Sequence, residues 1–177
     1  AQSYLEQCMK AQDSAGGIIE CIITGVPAGI GDPVFEKLDA SLAKAIFSIG
    51  AVKGFEIGDG FASAGSTGSV NNDGFCRMED GSVGKLTNHA GGILGGISDG
   101  SPIIFRAAVK PTPSILATQQ TIDKDGKEIQ VNIKGRHDPI IVPRAVVVVE
   151  SMAALTLADL LLANMGATMD HVHKIYD

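Results

Sequence analysis

The tightest constraint on the fold is where glycine and proline fall. The chain of 177 residues holds 22 glycines and seven prolines. The glycines follow no G-X-Y period, which excludes a collagen-like fibre and marks them as tight loops. Three segments combine this punctuation with charge: 88–98, reading NHAGGILGGIS; 110–114, KPTPS; and 134–139, KGRHDP. Each can turn backbone N–H groups or a cation toward one anionic ligand, so the three loops are expected to converge on one face. The pattern between them predicts a single α/β (α+β) domain over residues 1–177.

Residues 2–12 read as a short helix stopped by Gly16 and Gly17. The β-branched run 18–24 reads as a strand. Asp32 followed by Pro33 reads as a helix cap with proline at the first helical position, and Phe35, Leu38, Leu42, Ile46 and Ile49 recur at helical spacing, so one face of a helix from Asp32 to Gly50 is expected in the core. Strands follow at 51–57, 102–109, 115–121 and 128–133. A hairpin is expected about Glu79-Asp80-Gly81, and the Gly- and Ser-rich stretch 58–74 reads as a surface loop with one helical turn near Phe61. The most apolar stretch, 145–165, carries Glu150 and Asp159 and reads as the buried last helix, stopped by Gly166.

Apolar content of 45% and charged content of 19% imply a folded chain. The net charge of −6 argues against a nucleic-acid binder held by counterion release. A phosphate ligand would need local cations, supplied by Lys53, Arg106, Lys110, Lys134, Arg136 or Arg144. Cys8, Cys21 and Cys76 have no zinc spacing and fit a reducing cytoplasm. No signal peptide and no membrane-spanning run is read. The chain begins at Ala1 within a helical pattern, as a trimmed piece of a longer protein would.

The loops carry two readings each. Gly91-Gly92-Ile93-Leu94-Gly95-Gly96 is neither GxGxxG nor a P-loop; it reads as a ligand-approach loop or as a packing crossover. Lys110-Pro111-Thr112-Pro113-Ser114 offers an ammonium and two hydroxyls on a stiffened backbone, or is a strand corner with a solvated lysine. Arg136 suits bidentate recognition of phosphate and Asp138 can move or orient a proton, or the two form a surface ion pair. His171 and His173 lack a third metal ligand and read as tail. Asp73, Glu79 and Asp80 read as solvated turn acids.

Taken in order, these segments resemble the C-terminal portion of the chorismate synthase family. The resemblance runs through 25–40 (GVPAGIGDPVFEKLDA), 51–58 (AVKGFEIG), the three loops and 142–145 (VPRA). It departs at Val147, where the family commonly has proline, and at Gly65 and Thr67, where larger side chains are usual.

The resemblance implies a β-α-β sandwich, here partial, and a cytoplasmic homotetrameric lyase of aromatic amino acid biosynthesis. The intact enzyme is expected to convert 5-enolpyruvylshikimate 3-phosphate to chorismate and phosphate by trans elimination, using reduced FMN, and NADP is also expected. Carried over by position, Gly50, Ala51, Gly95, Lys110, Pro111, Thr112, Pro113, Ser114 and Arg136 are expected at the flavin, and Asp138 is expected to assist proton transfer. No metal, nucleic acid or membrane is implied. The family's HTFGESHG-like and GGGRSSARET-like segments and its two catalytic histidines are expected in an N-terminal half not spanned here. The chain alone is therefore expected to be inactive; the alternative is a non-catalytic flavin-binding or scaffold half-domain.

Overall fold

The computed structural model describes residues 2–135 and 137–176. Its elements in chain order are α1 (Gln2–Lys10), β1 (Gly17–Ile23), α2 (Leu38–Phe47), β2 (Val52–Ile57), a 3-10 turn (Gly60–Gly65), α3 (Gly68–Asn71), β3 (Phe75–Arg77), β4 (Val83–Lys85), β5 (Ile93–Leu94), β6 (Ile97–Ser98), β7 (Ile103–Val109), β8 (Gln119–Ile122), β9 (Glu128–Val131), α4 (Val142–Asn164) and α5 (Met169–Tyr176). The expected mixture of helix and strand is found.

The core is built on β7. It lies between β1 and β2 and is antiparallel to both, with Gly17 opposite Val109 and Ile23 opposite Ile103. Alternate residues Ile103, Phe105, Ala107 and Val109 point to one buried face, as period-2 alternation requires. That face receives Leu38, Leu42 and Ile46 of α2 and Val149, Ala153, Leu157 and Leu160 of α4. Phe55 and Phe105 stack at 5.2 Å between ring centroids. The other face is open: Ile18 and Ile22 stay exposed, and Arg106 pairs with Glu56 at 3.0 Å.

The helix expected from Asp32 begins six residues later, at Leu38. Residues 32–36 instead close on themselves, with reciprocal bonds between the main chains of Asp32 and Glu36 at 2.9 and 3.0 Å. Phe35, read as core, is 90% exposed. The start of α2 is set by a distant partner: the Leu38 N–H donates to Gly96 O at 2.8 Å, which satisfies a first-turn donor without a side-chain cap. Gly31 passes so close that a Cβ there would lie 2.3 Å from Gly96 O.

Ser98 locks the same corner. Its hydroxyl donates to Pro27 O at 2.7 Å and accepts from Ile30 N at 2.9 Å, and the residue is buried. Ser98→Ala leaves the buried Ile30 N–H and the partly exposed Pro27 O without this partner. A loss of about 1–3 kcal/mol in unfolding free energy is expected, read from the urea midpoint.

Two C-terminal features differ from expectation. By length and composition α4 is apolar enough to cross a membrane, although the sequence reading found no such run because of Glu150 and Asp159. It packs one stripe on the sheet and leaves Val147, Val148, Leu155 and Leu162 exposed. The segment read as tail folds into α5. His171 and His173 stand two apart on that helix, a spacing that does not bring side chains onto one face.

Candidate functional site

The segment leaving α1 ties two of the three loops together. Gln12, in the left-handed region at φ 58°, accepts from Ala117 N at 3.1 Å. The Ser14 hydroxyl donates to Thr112 O at 2.6 Å, and Ala15 N donates to Pro139 O at 2.7 Å. Gly16 follows with no room for a side chain, since a Cβ would meet Val109 O at 2.6 Å and Pro111 Cδ at 3.0 Å. Sequence reasoning treated these residues only as a helix stop. The one local signal was the run of small residues at 14–17.

Around this rivet lie most of the residues singled out from sequence. Lys110 N donates to Ala51 O at 2.9 Å, which sets the Gly50–Ala51 turn against the start of the 110–114 loop. Ala51 holds φ 70°, a strained region for a residue with a Cβ. Ser14, Ser114, His137 and Asp138 line one open cavity of about 150 Å³ together with Met9 and Pro139. Asp138 Oδ2 is met by Arg144 Nη1 at 2.5 Å. The Thr112 hydroxyl oxygen is buried and has no hydrogen-bond partner among the described residues. Arg136 lies outside the described residues.

Gly95 is placed elsewhere. It sits at the exposed tip of the β5–β6 hairpin with φ 60° and open space around its Cα. That hairpin adjoins the start of β7, whereas Lys110 follows its end. Seven strand residues separate the two, on the order of 20 Å. Within this chain 110–114 and 137–139 meet, and the Gly-rich hairpin packs on the start of α2.

The loop beneath that hairpin rests on a buried ion cluster. Lys85 Nζ contacts Asp99 Oδ2 and lies 4.0 Å from Asp73 Oδ2, and all three side chains are at most 8% exposed. Asp73, expected to be solvated, is thus buried. Burial pushes its carboxyl up, but bonds from Ala90 N, the Thr87 hydroxyl and His89 N, together with the Lys85 charge, outweigh that and hold it below the usual carboxylate range. Asp99 is lowered likewise: burial opposes, and Lys85 and Ser101 prevail.

The family model for chorismate synthase matches residues 1–162. This chain belongs to the chorismate synthase family. The chorismate synthase of Lachnoclostridium phytofermentans is 73% identical over 176 residues, which is 99% of this chain and 48% of that protein. That of Agathobacter rectalis is 67% identical with the same coverage, and that of Paramagnetospirillum magneticum is 54% identical over 93% of this chain and 46% of its own length. A crystal structure of chorismate synthase superposes with a TM-score of 0.76 at 32% identity, over 99% of this chain and 46% of that one. The chain spans about half the length of the curated relatives it matches.

Proposed function

We propose that this chain is the C-terminal, flavin-contacting part of a chorismate synthase. The intact protein is read as a lyase that eliminates phosphate from 5-enolpyruvylshikimate 3-phosphate to give chorismate, working in the cytoplasm as a homotetramer. Reduced FMN, when bound, supplies electron density to the departing phosphate.

The observation that carries this reading is the unpartnered buried hydroxyl of Thr112, beside the exposed Lys110 and the cavity at Asp138. A buried polar atom without a partner costs roughly 1–3 kcal/mol unless a ligand satisfies it. Gly50 and Ala51 leave the backbone exposed to approach next to Lys110. These groups fit a polar, phosphate-bearing cofactor. Lys110 and Thr112 would hold it, Arg136 would meet an anionic group, and Asp138 would hold or move a proton at its carboxylate.

The cavity of about 150 Å³ is smaller than the roughly 300–1,000 Å³ typical of small-molecule sites. The chain alone thus encloses only part of such a ligand, and the apolar outer stripe of α4 asks for a further protein layer. Both favour a scaffold role for the chain when isolated.

The test uses the full-length Lachnoclostridium enzyme with its matching segment replaced by this chain. Thr112→Val keeps the shape and removes the hydroxyl. It is expected to leave the flavin-free protein as stable or more so, and to weaken FMN binding by about 0.5–1.5 kcal/mol, two- to tenfold, in a fluorescence titration. Unchanged FMN affinity would remove Thr112 from the site.

A further inference from the structure

Arg144 is oddly placed for a helix. It lies in the first turn of α4, where no acidic residue accompanies it and where the exposed N–H groups make the helix end positive. A guanidinium there gains nothing from its own helix. Its partner is Asp138, six residues earlier and outside the helix, contacted at Oδ2. The adjoining loop backbone is already fixed: Pro139 O accepts from Ala15 N, and Ile140 bridges to Ala15. The remaining freedom of Asp138 is rotation of its side chain, and the contact with Arg144 restrains it. Among the described residues no donor engages Oδ1, and Asp138 lines the cavity it shares with Ser14 and Ser114.

We infer that Arg144 is a positioning residue: it holds Asp138 by one carboxylate oxygen so that the other is presented to the ligand. This rests on the reading of Asp138 as a proton-handling group at the flavin. The division of labour is chemically reasonable, because a carboxylate has lone pairs for both partners and a charge-assisted bond to one oxygen restrains its rotation. The Arg144 side chain is itself 70% exposed and that of Asp138 32%, so removing the arginine leaves no fully buried charge.

The full-length chimera is assayed as wild type, Arg144→Gln, Arg144→Lys, Asp138→Asn and the double variant Arg144→Gln/Asp138→Asn. For Arg144→Gln, kcat is expected to fall by about 10²-fold, the loss that misplacement of a reacting group brings, with KM and the thermal midpoint unchanged. Arg144→Lys is expected to recover part of it, and the double variant to be no slower than Asp138→Asn alone. Wild-type kcat in Arg144→Gln, with Asp138→Asn impaired, overturns this inference and leaves the site reading standing. A raised KM at unchanged kcat overturns it too, since Arg144 would then bind ligand directly. Wild-type kcat in Asp138→Asn overturns the site reading itself.

Discussion

Assayed alone with 5-enolpyruvylshikimate 3-phosphate and reduced FMN under anaerobic conditions, this chain is expected to form chorismate at least about 10²–10⁴-fold more slowly than the full-length chimera, the range typical for losing general acid–base groups. The geometry gives three reasons. The cavity beside Asp138 is too small to surround a flavin together with a substrate. Among the described residues the cations near it are few: Lys110 is exposed, and Arg144 is engaged by Asp138. The net charge of −6 opposes the approach of a multiply charged anion, which needs a locally positive pocket to be held and steered. On the proposed function, both catalytic histidines are expected in the half of the relatives that this chain does not span. Turnover within ten-fold of the chimera would sink the claim, because the residues at 110–114 and 136–138 would then suffice.

What sequence could reveal here divides by range. Strands β1, β2 and β7 were legible because β-branched residues and period-2 alternation are local, and the β3–β4 hairpin because Glu79-Asp80-Gly81 is a turn. The start of α2 was misread for the opposite reason. Asp32 and Pro33 form a good local cap, but the bond from Leu38 N to Gly96 O comes from 58 residues away and fixes a later start. The burial of Asp73 was invisible for the same reason, since Lys85 and Asp99 reach it only in the fold. Composition flagged 110–114 and 136–138 as places for an anion, and the structure joins the first to Asp138. It could not say that Gly95 lies at the far end of β7, nor that Ser14 would bind the back of the Thr112 loop.

Lys85→Met is expected to cost about 3–5 kcal/mol of unfolding free energy at pH 7, the largest single loss foreseen for a side chain in this fold. Lys85 is 3% exposed and is the cation shared by two carboxylates that are 2% and 8% exposed. Its removal leaves both charges buried without a counter-ion, although Asp73 keeps its three donors and Asp99 keeps Ser101. The pH dependence gives a second signature. Both carboxyls are depressed in the folded chain, so the stability they confer is fully present above the unfolded value near 3.9 and is lost as pH falls through the lower folded values. In Lys85→Met the carboxylates lose that stabilising charge and are relieved by protonation. The deficit against wild type should therefore shrink as the pH is lowered below about 4. The control is Arg106→Met at the half-exposed pair with Glu56, where no more than about 1 kcal/mol is expected. Urea unfolding of the three proteins at neutral and acid pH separates the cases. Equal losses for Lys85→Met and Arg106→Met, or a deficit that stays constant from pH 7 to 3, would mean that the buried cluster does not hold the Gly-rich loop and that Lys85 acts only through its place over the Phe75 ring, 5.5 Å from Nζ to the ring centroid.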